Sequence, residues 1–327
     1  MNASTPADTL LDVKDLSVSF GARGLPDSHR IKALREVSLA VRRAETLAVV
    51  GESGCGKTTL LRCITGLLAP ETGSVTFEGT RMDGLSNRAL LPFRRRIQMV
   101  FQKPLDSLNR RSTVGEIVAM PLIVHGIGDR RSRTEKVEKT MEDVGLNPAF
   151  RNRYPHELSG GQQQRVAIAR ALILEPDLIV ADEPVSSLDV SVQGKIINLL
   201  LDLQEQRGLT YLLISHDLGV VERMADRILV MYLGRIVEEG PAEQLLRRPS
   251  HPYTRALTDS SPRLGQPIGD TTPLEGEIPS PLDRGTGCPF ESRCASSLGE
   301  VCRSKMPPIT VIAGGVKVRC HLYPEGK

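Results

Sequence analysis

The stretch Gly51-Glu52-Ser53-Gly54-Cys55-Gly56-Lys57-Thr58 constrains this chain more than any other. It matches the pattern G-x-x-x-x-G-K-S/T, in which glycines let backbone N–H groups converge on phosphate oxygens without obstruction by Cβ atoms. The apolar run 47–50 leads into it, and a helical pattern over 59–68 leads out. A helix starting near Lys57 points its positive dipole end at the same anion. Lys57 is suited to neutralising β- and γ-phosphates, and Thr58 to ligating Mg²⁺. Gly51, Ser53, Gly54, Cys55, Gly56, Lys57, Thr58 and Thr59 are therefore candidate nucleotide-binding residues. The loop alone specifies neither the nucleotide nor its use.

The rest of the chain fits an α/β fold. Short apolar runs at 47–50, 178–181 and 211–214 alternate with helical patterns, which predicts βα units around a largely parallel sheet. The mostly helical stretch 112–147 lies between the first two of these runs. Val192, Ile196, Leu199, Leu200 and Leu203 recur at helical spacing behind Asp189. With 327 residues there is room for one large domain and an additional module. The net charge of +3, spread along the chain, gives no reason to expect a nucleic-acid partner. No apolar run reaches the roughly 18 residues that a membrane helix needs. Residues 1–9 are polar and lack a basic start, so they read as a tail and not as a secretory signal. The chain is expected in the cytoplasm, touching a membrane only through partners.

A second chemical cluster follows the run 178–181. Asp182, at the strand end, can reach a Mg²⁺ ion, usually through water. Glu183 points elsewhere and is suited to polarising an attacking water as general base.

Leu158-Ser159-Gly160-Gly161-Gln162 resembles the signature of ABC ATPases, and its neighbours fit in the right order. Gln102 resembles the family's Q-loop glutamine, Ser186-Ser187-Leu188-Asp189 its D-loop, and His216 its switch histidine. Phe20 stands where the family has an adenine-stacking aromatic. The resemblance covers about residues 11–257. It implies an ABC-type P-loop NTPase core, a RecA-like sheet with helices plus an antiparallel β part. It further implies a helical subdomain at about 103–173. It also implies ATP and Mg²⁺ as ligands, with Glu183, His216 and Gln102 catalytic and Thr58, Gln102 and Asp182 around Mg²⁺. Two ATPase subunits would face each other head to tail. Ser159, Gly160, Gly161 and Gln162 would then meet the ATP bound by the other subunit, a paralogue or a second copy, with Ser187 and Asp189 at the seam.

Further stretches resemble the ATP-binding subunits of oligopeptide and dipeptide importers: 50–57, Arg153-Tyr154-Pro155-His156-Glu157-Leu158, 231–238 and His251-Pro252-Tyr253-Thr254. Lys103-Pro104 and Asn109-Arg110-Arg111 depart from that group's pattern. The resemblance implies ATP-driven peptide import, with permease subunits and, indirectly, a substrate-binding protein as partners, at the cytoplasmic membrane face. An exporter subunit is the near alternative. A soluble ABC ATPase of DNA repair or translation fits less well, because no long insertion separates the motifs and only one core is present.

Beyond residue 257 the composition changes. A tail over 1–10, a Pro/Gly-rich linker over 258–285 and a small cysteine-rich C-terminal module over 286–327 complete the expected organisation. Cys288, Cys294, Cys302 and Cys320 can together close a Zn²⁺ site or hold an iron–sulfur cluster. Arg293, Arg303, Lys305 and Arg319 would favour their thiolates. The importer resemblance implies a 4Fe–4S cluster, with Zn²⁺ or unliganded thiols as the alternatives. Cys63 is expected to be a small buried residue. Cys55, near a helix N-terminus and Lys57, is expected to be an accessible low-pKa thiol shielded by MgATP. The competing expectation has it pointing inward and inert.

Overall fold

The structure, a computed structural model, describes residues 8–21, 30–102, 107–260, 276, 279 and 286–323. Strands β1 (Thr9–Phe20) and β2 (Ile31–Arg42) open the fold, followed by β3 (Thr46–Val50) and α1 (Lys57–Ile64). Next come β4 (Thr72–Phe77), β5 (Thr80–Arg81), α2 (Asn87–Arg96) and β6 (Ile97–Val100). Three helices follow: α3 (Val114–Val124), α4 (Arg130–Asp143) and α5 (Gly160–Leu172). The chain then returns to the sheet with β7 (Leu178–Asp182), α6 (Val190–Arg207), β8 (Thr210–Ile214), α7 (Leu218–Met224), β9 (Arg227–Tyr232) and β10 (Arg235–Pro241). Helices α8 (Ala242–Arg247) and α9 (Pro252–Asp259) close this part, and α10 (Glu300–Ser304), β11 (Ile309–Val311) and β12 (Lys317–Arg319) lie near the C-terminus.

The strands form two sheets. The smaller is antiparallel, in the order β2-β1-β4-β5. The larger runs β11-β12-β10-β9-β3-β8-β7-β6, with β9, β3, β8, β7 and β6 mutually parallel. Parallel strands are covered on both faces, and the period of two then divides one strand between two cores. Leu47 and Val49 of β3 face the core shared with the antiparallel sheet, whereas Ala48 and Val50 face the helices. Leu178 and Val180 against Ile179 and Ala181 repeat the division on β7. Each fully buried Leu, Val or Ile among them stabilises the fold by about 1.5–3 kcal/mol before entropy is counted.

Helices α3, α4 and α5 pack on one another through Val118, Leu122, Val137, Met141 and Val166. All three start at complete capping boxes, Thr113 with Glu116 on α3, Asp129 with Ser132 on α4 and Ser159 with Gln162 on α5. The C-terminal segment is built onto the core sheet. β12 pairs antiparallel with β10, Glu238 opposite Val318, and β11 pairs with β12. Residues 1–7 of the expected tail, nearly all of the expected linker, and Lys103-Pro104 lie outside the described residues. No helix among the described residues is long and apolar enough to cross a membrane.

In parallel strands all C-terminal ends point one way. The loops after β3, β6, β7 and β8 therefore emerge at one edge, and they carry the phosphate-loop pattern, Gln102, Glu183 and His216.

Candidate functional site

The loop after β3 is shaped by close backbone approaches. Gly51 has φ +151°, and a Cβ there would lie 2.2 Å from the Met231 carbonyl oxygen and 2.9 Å from Cys55 Sγ. Gly56, at φ +109°, would put a Cβ 2.4 Å from the Ala33 carbonyl oxygen. Any side chain at either position would spread the loop away from β2 and β9. Lys57 is folded back under the arch. Its Nζ donates to the carbonyls of Gly51 at 2.6 Å and Glu52 at 2.9 Å.

Above the loop lies a cavity of about 740 Å³. Ser53, Gly54, Gly56, Lys57, Thr58 and Thr59 form its floor. Phe20, 42% exposed at the end of β1, forms an apolar rim with its cross-strand partner Ile31 and with Leu233. Gln102, Asp182, Glu183 and His216 form the opposite, polar end. Gly51 does not line the cavity; it holds the floor in shape from below.

At the polar end Glu183 is gripped on both oxygens. Gln102 Nε2 donates to Oε2 at 2.5 Å, and His216 Nδ1 stands 2.8 Å from Oε1. Glu183 also has φ +48°, a conformation that costs a non-glycine residue about 1–3 kcal/mol. Its N–H donates to the Ile214 carbonyl at 2.9 Å, which ties the strained turn to β8. Burial pushes the Asp182 carboxyl above its ordinary pKa, and the adjacent Glu183 charge adds to this, against Lys57. The Thr58 hydroxyl, the Gln102 amide and the Asp182 carboxylate border the same cavity. Such oxygen donors suit a hard divalent cation like Mg²⁺.

The signature residues stand elsewhere. Ser159 caps α5, its hydroxyl accepting from the Gln162 N–H while Gln162 Oε1 accepts from the Ser159 N–H at 3.0 Å. Ser159 and Gly160 are exposed, and neither they nor Gly161 and Gln162 line the cavity. Ser187 Oγ donates to the Gln102 carbonyl at 3.3 Å, and Asp189 stands at the N-cap position of α6 without a side-chain capping bond, beside Val190, which is 84% exposed.

Sequence reasoning missed one wall of the cavity. Lys32, Ala33 and Arg35 of β2 and Leu233-Gly234 of the β9–β10 turn contribute to it through strand register, which no local motif announces.

Two expectations about cysteines are corrected. Cys55 is only 3% exposed, with Sγ beneath the loop near Gly51 and 3.6 Å from Lys57 Nζ. Burial raises its pKa despite the lysine, so it is a buried thiol and not an accessible thiolate. Burial likewise pushes the Cys63 thiol up to about 12. In the C-terminal segment Cys288 feels the charges of Cys294, Cys302 and Cys320, so the four thiols lie within electrostatic reach of one another. Yet no three form a metal-ligating group among the described residues. Nor do nearby cations hold Cys288, Cys294 and Cys320 as thiolates. Arg293 pairs with Glu52 and Arg303 with Glu291, and burial pushes Cys288 up to about 12. Burial also raises Cys294 and Cys320.

A phosphate floor and a doubly held carboxylate in one copy, with a capped glycine pair turned away from both, is the arrangement of an ABC ATPase. Comparison with known proteins agrees. The ABC transporter family model matches residues 34–186, and the model for the C-terminal region of oligopeptide/dipeptide transporters matches residues 237–302. A di/tripeptide transport ATP-binding protein of Pseudomonas aeruginosa is 45% identical over 317 residues, covering 96% of this chain and 98% of its own. An oligopeptide transport ATP-binding protein of Bacillus subtilis is 44% identical over 323 residues, covering 97% and 98%. A dimeric ATP-binding cassette, solved in a post-hydrolysis state with ADP and Pi, superposes with a TM-score of 0.64 at 33% identity, covering 71% of this chain and 99% of its own. The chain belongs to the ABC transporter ATPases, in the family of oligopeptide/dipeptide transport ATP-binding proteins.

Proposed function

We propose that this chain binds and hydrolyses ATP to power import of oligopeptides or dipeptides. The observation that carries the reading is Glu183, held by Gln102 and His216 at the rim of a cavity floored by the Lys57 loop. An entering triphosphate replaces the Gly51 and Glu52 carbonyls as the partner of Lys57. Phe20 stacks on the adenine. Glu183, oriented by His216, accepts the proton of the attacking water. Mg²⁺, held by Thr58, Gln102 and Asp182, supplies charge neutralisation at the β- and γ-phosphates when bound.

The exposed signature supports assembly in pairs. Ser159, Gly160, Gly161 and Gln162 of one copy close over the nucleotide of a second ATPase subunit, with Ser187 and Asp189 at the seam. Closure carries the helical subdomain, about 103–173, and with it the permease subunits docked at the cytoplasmic membrane face. A substrate-binding protein delivers cargo to those permeases. In this reading residues 11–257 are the ATPase domain, 258–285 a linker and 286–327 a cysteine-rich module, behind a tail over 1–10. Four thiols gathered within mutual reach support a 4Fe–4S cluster on Cys288, Cys294, Cys302 and Cys320, with Zn²⁺ the competing occupant. No three of them form a metal-ligating group among the described residues, so this reading rests on donor chemistry.

Replacing Glu183 with Gln tests the central claim. Hydrolysis is expected to fall by about 10²–10⁴-fold. MgATP binding persists, and two copies remain joined in size-exclusion chromatography with ATP. Turnover near the wild-type rate would overturn the assignment.

A further inference from the structure

One residue of the phosphate loop is gripped from the far end of the chain. Arg293, on a short 3₁₀ turn between Cys288 and Cys294, pairs with Glu52 at two points, Nη1 to Oε2 at 2.7 Å and Nη2 to Oε1 at 3.0 Å. Its side chain is 4% exposed. Nη1 also donates to the Tyr232 hydroxyl at 3.4 Å. Around the pair, Tyr232, Tyr253 and Phe290 pack with ring centroids 4.5–5.3 Å apart. Tyr253 also accepts from the Glu52 N–H at 2.9 Å. Glu52 is thus fixed at its carboxylate by Arg293, at its N–H by Tyr253 and at its carbonyl by Lys57.

A bond that merely fastened the C-terminal segment could sit anywhere along β10 and β12. This one ends on the residue after Gly51, whose carbonyl holds the loop lysine. Without Arg293, the Glu52 carboxylate would be a partly buried, unpaired negative charge beside a site meant for a polyanion. It would also be free to pull the loop out of shape. Glu52 and Arg293 do not line the cavity, so any effect passes through the loop.

We propose that Arg293 is a positioning residue of the nucleotide site, through which the cysteine-bearing C-terminal segment sets the affinity of the phosphate loop for nucleoside triphosphate. The inference rests on the ATP reading of the cavity. The test uses the full-length protein, with equilibrium binding of a fluorescent ATP analogue and steady-state hydrolysis. Arg293→Ala is expected to raise Kd and KM for MgATP about tenfold, in the range usual for coupled sites. Its kcat should stay within about twofold, because Glu183, Gln102 and His216 are untouched. Arg293→Lys keeps the charge but loses the two-point grip and should raise Kd about threefold. Adding Glu52→Gln to Arg293→Ala should recover most of the lost affinity, since the unpaired charge is gone. A purely structural bond would give no such recovery. Unchanged Kd in both single variants, or a double variant no better than Arg293→Ala, overturns the proposal. Should the alanine variant fail to fold, the lysine variant decides alone. Failure of the wild type to bind the analogue would instead refute the ATP reading.

Discussion

At the scale of the residue, burial outweighs local charge at Cys55. A helix N-terminus and a lysine ammonium both favour a thiolate there, yet desolvation under the arch is the larger effect and raises the pKa. Cys55 is therefore expected to resist maleimide at neutral pH, equally with and without MgATP, and to react only once the chain is unfolded. Timed labelling followed by peptide mapping checks this; rapid labelling of the native protein that MgATP suppresses would contradict it. Glu183 illustrates the opposite balance. Its unfavourable φ persists because the N–H bond to Ile214 and the contacts with Gln102 and His216 over-determine its position.

At the scale of the element, helix α9 joins the ATPase core to the C-terminal segment. Its N-cap is His251, whose Nδ1 accepts from the Tyr253 N–H at 3.0 Å while its own N–H donates to Glu238 at 3.0 Å. The ring is buried, and this lowers its pKa to about 4, with burial the leading cause. An unfolded histidine titrates near 6.5, so between about 6.5 and 4 the unfolded chain binds a proton that the folded chain refuses. Stability contributed by neutral His251 is present above pH 6.5 and is lost as pH falls towards 4, by on the order of 3 kcal/mol. His251→Asn keeps a capping side chain and removes the titration. Denaturant midpoints measured from pH 7 to pH 4 should fall less steeply for this variant than for the wild type. Parallel slopes would mean that other groups carry the acid sensitivity.

At the scale of the whole molecule, the C-terminal segment is an extension of the core sheet. β12 pairs with β10, Phe290 packs against both Tyr232 and Tyr253, and Arg293 reaches the phosphate loop. The four thiols are clustered within this extension. If the proposed cluster is bound, anaerobically purified protein is brown, with iron and sulfide at about four per chain. Stoichiometric zinc without visible absorbance would assign the thiols to the rival metal. Cys302→Ser should release whichever metal is bound.

The sequence by itself carried the class of fold and the candidate site residues. Each rests on a local pattern: a glycine spacing that suits a phosphate loop, an apolar strand ending in Asp182-Glu183, and the signature-like run Leu158-Ser159-Gly160-Gly161-Gln162. Local rules are readable because the chemistry constrains residues adjacent in the chain. What only the tertiary structure decided was which of these parts meet. Strand order brings Gln102, Glu183 and His216 together and turns the signature away from them. Register puts Ala33 against Gly56, and burial overrules the charge at Cys55. Arg293 reads from the sequence as a cation that favours the cysteine thiolates, yet the fold brings it to Glu52, 241 residues away in the chain. Desolvation and long-range pairing depend on every neighbour at once, and no local pattern encodes them.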